Sequence, residues 1–497
     1  MRPVWPPDAF AIAATLLKDS GAYTEVVNQW PPRRYRDTDA WHDAIERLSQ
    51  DWRQIYDDRK GWPPQLERWW ALIVRNSDLA VSDIRSKRNL LEGLVGIVAA
   101  ADQTCFGFGI VKADAKDEPE DALNDIALVH LTRRGTLCEK IDRSRTIVLP
   151  KLHNPLNGLT MRSLTHNLAL WDNPEVTPSW EQIALDVQCG MNVLLVPWPL
   201  AITPRAFRAV SDHDEKMPPD FGLFTYDSNG ARPMISRIKK LVRNAENLVG
   251  RIDAIVFPEL SLSLSEYLRI RFAFSRTLII AGIGLAASNG NLGRNDVALG
   301  LGYSQTYLQS KHHRWRLEER QIEQYGLGCS LTEQKWWWEA IRMGERKCAF
   351  FSANAWLTLC VLICEDLARQ DPVAELVRTV GPNLVIALLM DGPQIAERWS
   401  ARYATVLAED PRCSVLTMTS AGLVDLANSQ LGRGPRSIGL WKDALSGSAR
   451  QIILNEGAEA VVLSLTREMY KEWTADGRHD DGSTGYLRLM GTHQVRI

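Results

Sequence analysis

Between residues 190 and 470, short unbroken runs of Val, Ile and Leu recur, each separated from the next by an amphipathic or polar stretch. Asn192-Val-Leu-Leu-Val-Pro, Asp253-Ala-Ile-Val-Phe-Pro, Thr277-Leu-Ile-Ile-Ala-Gly, Trp356–Cys364, Asn383-Leu-Val-Ile-Ala-Leu-Leu and Ser414-Val-Leu-Thr-Met-Thr are the clearest. They are too short for core helices and too continuous for strands with one wet face. Strands that read this way are covered on both sides, which predicts an α/β fold with mostly buried strands. One further strand is expected over Ala298–Gln309, a hairpin over 349–351 and 356–364, and a closing pair at Ala449–Leu454 and Ala458–Leu465. Helices are expected over Pro233–Leu248 and Glu397–Ala408.

The first part of the chain reads differently. Trp41–Tyr56 and Trp62–Val74 follow a period near 3.6, and proline pairs punctuate them at 6–7, 31–32 and 63–64. Leu90–Val111 is apolar but carries Glu92, Asp102 and Gln103, so it reads as a buried element and not as a membrane span. Ile126-Ala-Leu-Val-His-Leu reads as a strand, and 112–121 as a polar loop. Basic and polar groups crowd 140–168 (Lys140, Arg143, Arg145, Lys151, His153, Arg162, His166), either as a solvated face or as an anion or nucleotide contact surface. A length of 497 residues suits two domains: a mostly helical one over 1–185, and an α/β one over 190–497 with its own core. The net charge of −2 gives no general drive toward nucleic acid or membrane. No secretory leader is visible, and the eight Cys show no paired-ligand spacing, so reduced thiols in the cytoplasm are expected.

Three polar residues fall at predicted strand ends, the edge where open α/β sheets bind ligands. Glu259 follows Val-Phe-Pro258, Lys311 follows the Ala298–Gln309 run, and Cys364 ends Trp356–Ile363. A carboxylate can take a thiol proton. An ammonium can favour the thiolate and hold an oxyanion, and the amide of Glu365 can add a second donor. With an ammonium beside it, Cys364 is expected to be the most reactive of the eight thiols. His312-His313 lacks further ligand spacing for a metal, and Gly282-Ile-Gly284 does not continue into a dinucleotide fingerprint. Trp336-Trp337-Trp338 reads as packing in preference to ligand stacking.

The ordered Glu259, Lys311 and Cys364 resemble the triad of the nitrilase, or carbon–nitrogen hydrolase, superfamily. Phe-Pro-Glu259-Leu-Ser is similar to its glutamate motif, and Ile363-Cys364-Glu365-Asp366 to its nucleophile motif. The resemblance covers about 190–470 and implies an α-β-β-α sandwich, hydrolysis of a non-peptide amide or related carbon–nitrogen bond without a cofactor, a small-molecule amide as partner, and a homo-oligomer formed through the sandwich. It also implies a second glutamate eight residues after the lysine, which falls on Glu319. Two departures stand out: Lys311 continues as His-His-Arg-Trp, and the Lys311–Cys364 spacing is long enough to hold an insertion containing Lys335-Trp-Trp-Trp-Glu. A second reading makes the sandwich a binding scaffold in a regulatory or antiviral-defence protein, with residues 1–185 meeting a protein or nucleotide partner.

Overall fold

The computed structural model describes residues 3–497 except 59–60, 111–121, 156–157, 211–216, 228–234, 289, 355 and 433. The expected loop at 112–121 lies outside the described residues. The N-terminal region holds α1 (Pro6–Ser20), α3 (Thr38–Asp57), α4 (Pro64–Arg75), α5 (Arg88–Thr104) and α6 (Ala122–Arg134), with a short α2 (Val26–Gln29) between. A two-stranded hairpin, β1 (Ile147–Pro150) and β2 (Leu168–Trp171), follows. The strand expected at Ile126 is part of α6. Leu123, Ala127 and Leu131, spaced by four, are its buried face, while Ile126 and Val129 point to solvent. The four-residue period, hidden inside an apolar run, decides the conformation.

Two seven-stranded sheets dominate the rest. The first contains β4 (Gly190–Leu195), β7 (Ala254–Leu262), β8 (Leu278–Leu285), β9 (Arg294–Leu301), β10 (Tyr307–Ser310), β19 (Ala460–Tyr470) and β20 (Thr484–Val495), in the spatial order β10-β9-β8-β7-β4-β19-β20. The second contains β3 (Thr177–Gln182), β13 (Lys347–Ser352), β14 (Thr358–Ile363), β15 (Leu384–Leu388), β16 (Ser414–Met418), β17 (Ser437–Lys442) and β18 (Ala449–Ile453), in the order β18-β17-β16-β15-β14-β13-β3. The expected single strand over Ala298–Gln309 is a hairpin, β9 and β10, which reverses at Gly302 with φ 50°. A small sheet, in the order β11-β12-β6-β5, joins β5 (Phe207–Ala209), β6 (Phe221–Tyr226), β11 (Arg316–Leu317) and β12 (Trp336–Glu339), so the insertion before Cys364 is built into the fold.

Period-2 alternation explains the unbroken runs. In the first sheet Val193, Leu195, Ala254, Val256, Leu278 and Ile280 face the core that also holds β14 and β15. Their neighbours Leu194, Ile255, Phe257 and Ile279 face outward, onto α7 (Ile235–Val249) and α8 (Leu264–Ala273). On α7 the buried residues are Ile238, Leu241, Val242 and Ala245, one stripe at helical spacing. On the far side α12 (Trp399–Glu409) packs on β16 and β17. The layers are helix, sheet, sheet, helix.

The domain division read from the sequence needs two corrections. First, β3 lies within 1–185 but pairs in parallel with β13 as an edge strand of the second sheet. Second, the largest hydrophobic cluster runs without a break from Trp5 and α5 through Trp180 and Phe350 into β14–β16, so the sandwich shares its core with the helical region. The segment 471–483 between β19 and β20 also reaches back. Arg478 there, fully buried, pairs with Asp102 of α5 at 3.0 Å and with Asp476 at 3.0 Å, and Trp41 of α3 donates to Asp476 at 2.9 Å. Part of the basic stretch 140–168 is likewise interior. Lys151, His153 and His166 are buried, and Lys151 is ringed by acceptors that include Asn154 Oδ1 and the Thr165 carbonyl, both at 2.5 Å. No described helix is long and apolar enough to cross a membrane.

Candidate active site

Glu259 sits in a distortion of β7. Pairing with β8 breaks between Phe257 and Leu262, and Leu260 is held at φ 51°. Gly282 on β8 makes room: a Cβ there would lie 2.4 Å from Glu259 Cα and 2.5 Å from the Pro258 carbonyl oxygen. Lys311 leaves the end of β10, its N–H bonded to the Asn295 carbonyl at 2.9 Å. Two residues earlier, Gln309 joins the sheets, donating to the Val361 carbonyl of β14 and accepting from Ala349 N–H of β13. That bond holds the Lys311 strand in register with the one leading to Cys364.

Lys311 Nζ donates to Glu259 Oε1 at 2.8 Å and to Glu339 Oε2 at 2.7 Å. Asn295 Nδ2 donates to Glu259 Oε1 and Glu339 Oε1, each at 2.7 Å. An ammonium and an amide thus bridge two buried carboxylates. Burial pulls the Lys311 ammonium toward neutrality, but the two carboxylates override it and hold its pKa well above the ordinary value. Burial, together with the charge of Glu339, pushes Glu259 up against the pull of Lys311. Its Oε2 is buried and has no partner among the described residues, which leaves one oxygen of the carboxylate unengaged there.

Cys364 lies immediately after β14 and before a short helix, α10 (Glu365–Ala368), at φ 45° and ψ −106°. A non-glycine residue there is strained by about 1–3 kcal/mol, a state that persists only where the surroundings impose it. Here its N–H is fixed to the Leu388 carbonyl at 2.8 Å. Burial raises the thiol well above its ordinary pKa and the Glu259 charge adds to this, while Lys311 and the Met390 backbone act in the opposite direction. The thiol is therefore protonated at rest. This changes the expectation that Cys364 is the most reactive thiol, since Cys189 and Cys329 are exposed and Cys364 is not.

Asp366, fully buried, ties the two halves together. It accepts from His312 N–H at 3.1 and 3.0 Å and from His313 Nδ1 at 3.0 Å, so the turn after Cys364 grips the turn after Lys311. Glu365 is half-buried and paired with Arg369 one helical turn on. Glu319 is not brought to the cluster: it is exposed in the first turn of α9 (Glu319–Gln324). Glu339 takes the place expected for it. The chain turns away after Lys311, and the carboxylate returns on β12, which the insertion supplies. The signal was the apolar Trp336-Trp337-Trp338 run ending in a carboxylate, the same strand-end pattern that marked Glu259. A cavity of about 570 Å³ opens in front of Cys364, with Arg314, Trp315, Trp338, Met390 and Tyr403 on its wall.

By sequence the chain matches no protein family and no curated protein. Its fold is similar to that of nitrilase-superfamily structures over a little more than half its length. Saccharomyces cerevisiae Nit3, of branch 10 of that superfamily, is 14% identical, with a TM-score of 0.35, over 56% of this chain and 90% of that one. An amidase from Nesterenkonia sp. is 13% identical, TM-score 0.33, over 57% and 92%. A carbon–nitrogen hydrolase superfamily protein from Xanthomonas campestris is 14% identical, TM-score 0.32, over 55% and 90%.

Proposed function

We propose that the chain is a thiol-dependent hydrolase of a non-peptide amide or related carbon–nitrogen bond, with Glu259, Lys311 and Cys364 as its catalytic residues. The observation that carries this reading is the unengaged Glu259 Oε2, in a cluster whose ammonium is held charged and whose field reaches a strained cysteine at a cavity wall. A protonated thiol needs a base, and a carboxylate with a raised pKa can both take and return a proton. Sulfur attacks the carbonyl carbon as Glu259 accepts the thiol proton. The oxyanion meets the Lys311 ammonium and the Glu365 N–H, which opens α10 and has no acceptor within the helix. Collapse breaks the C–N bond, the departing amine takes the proton from Glu259, and a thioester remains. Water, deprotonated by Glu259, attacks the thioester, releasing the acid and restoring the thiol. The chemistry requires no cofactor. Glu339 and Asn295 keep Lys311 charged and aimed, and Asp366 fixes the two turns.

The cavity reaching Cys364 favours the enzyme over the binding-scaffold reading, in which the insertion would fill that space. Homo-oligomerisation through the sandwich and a cytoplasmic setting belong to the same proposal, the former tested by light scattering. For the chemistry, the protein is incubated with a metabolite extract and its intact mass measured. An acyl adduct that maps to Cys364 and is absent from Cys364→Ala supports the reading. Turnover that survives Cys364→Ala would end it.

A further inference from the structure

The wall in front of Cys364 is uneven in how its charges are paired. Its carboxylates are engaged: Glu318 with Arg316, Glu365 with Arg369, Asp391 with Arg398. Arg314 is different. It forms no ion pair among the described residues, and its Nε and Nη2 both turn to the Ile341 carbonyl, at 3.2 and 2.9 Å. The rest of its guanidinium has no acceptor among the described residues. The indole N–H groups of Trp315, Trp338 and Trp399 and the Tyr403 hydroxyl, all on the wall, also have no hydrogen-bond partner among the described residues. The wall therefore offers spare donors, one cation without a carboxylate of its own, and broad aromatic faces.

A ligand that completes such a wall is rich in acceptors, negatively charged and flat. Resting on the amide-hydrolase reading of this site, we propose that its substrate is an anionic amide with a planar body, whose carboxylate is received by Arg314 and whose ring lies against the tryptophans and Tyr403. The other guanidiniums do not serve, because each already has its carboxylate. A cationic amide would face Arg314, which has no carboxylate of its own among the described residues. Discrimination of about tenfold is expected from one charge-assisted hydrogen bond.

The test uses protection of the nucleophile and needs no turnover. The intact protein is alkylated with iodoacetamide and modification at Cys364 is followed by peptide mapping. Three competitors that differ only in the para group are compared: 4-carbamoylbenzoate, 4-methylbenzamide and 4-(aminomethyl)benzamide. The carboxylate should protect at about one-tenth the concentration of the methyl compound, and the ammonium compound should protect least. Arg314→Met should bring the carboxylate down to the level of the neutral amide, and Arg314→Lys should restore part of the difference. Equal protection by all three, or a carboxylate preference that persists in Arg314→Met, overturns the substrate assignment while leaving the nucleophile intact. Turnover of an amide that survives Cys364→Ala points instead to failure of the amide-hydrolase reading and removes this inference with it.

Discussion

Two of the buried charge groups in this molecule are built differently. Around Arg478 the guanidinium is engaged on all three nitrogens: its Nε meets Asp476, its Nη1 meets Asp102, and its Nη2 meets the Leu164 carbonyl at 2.7 Å, while Asp476 Oδ1 has no partner among the described residues. Asp102 in turn accepts from the N–H groups of His166, Asn167 and Leu168. Around Lys311 the charges are as deeply buried, Glu259 Oε2 and Asn295 Oδ1 have no partner among the described residues, and here the neighbouring cysteine is strained. The Arg478 network holds the helical region to the sandwich. Under the proposed function the Lys311 cluster keeps one carboxylate oxygen for a proton. Neither burial of charge nor an unpartnered carboxylate oxygen therefore distinguishes the two networks; the strained cysteine beside the Lys311 cluster, at a cavity wall, does.

The largest effect that would break this comparison is on turnover. Cys364→Ala and Glu259→Gln should each lower kcat by about 10³-fold or more, since residues acting as a unit are lost together. Glu259→Gln keeps the size of the side chain, so its melting temperature should stay close to that of the parent. Activity within tenfold of wild type in Glu259→Gln would show that Oε2 is not the base.

Next in size is stability. Lys311→Met leaves two carboxylates buried without their ammonium, and Arg478→Met does the same to Asp102 and Asp476. Breaking a buried pair from one side costs about 3–5 kcal/mol. Both variants should unfold at lower urea concentration. The comparison separates them by activity: Arg478→Met should keep kcat near wild type while folded, and Lys311→Met should lose it. Loss of kcat in folded Arg478→Met would join the two networks functionally.

Much of this was legible in the sequence because it depends on local order. Continuous apolar runs gave the strands, and a carboxylate or thiol directly after such a run gave Glu259 and Cys364. Glu339 was hidden by topology. Counting along the chain pointed to Glu319, but the side chain arrives on a strand that pairs with β6, more than a hundred residues earlier. The shared core was hidden for the same reason, since Trp180 and Arg478 reach their partners across long separations. Exposed Glu319 provides a control: Glu319→Ala should leave activity and stability within about 0.5 kcal/mol of wild type, whereas Glu339→Gln should impair turnover.

A smaller change is expected at Asp366, which carries no part of the reaction. Asp366→Asn keeps the shape but loses charge and part of the acceptance from His312 and His313. A loss of about 1–3 kcal/mol of stability is expected. If Asp366 aligns the lysine and cysteine turns, kcat should fall with KM little changed. A rise in KM alone would place its role in the cavity wall.

The smallest effect concerns pH and sharpens the contrast by sign. At Glu472 and Asp476 burial raises the pKa, but His153, Tyr486 and Asn154 around the first and Arg478 around the second outweigh it, and both end below their ordinary values. Such acids bind protons more readily when unfolded, so they contribute stability above their unfolded pKa near 4, and it is lost as pH falls through the lower folded values. Glu259, raised by burial, has the reverse sign: its ionisation costs stability as pH rises through the folded value. Acid should therefore loosen the seam between the helical region and the sandwich before it disturbs the site. Stability measured by urea unfolding from pH 7 down to pH 3 should fall, and Glu472→Gln should flatten the fall by about 1 kcal/mol. Hydrogen exchange at pH 4 should rise first in the 471–483 segment and α5. Exchange appearing first around Lys311 would reverse the assignment of which network is held by ionised acids.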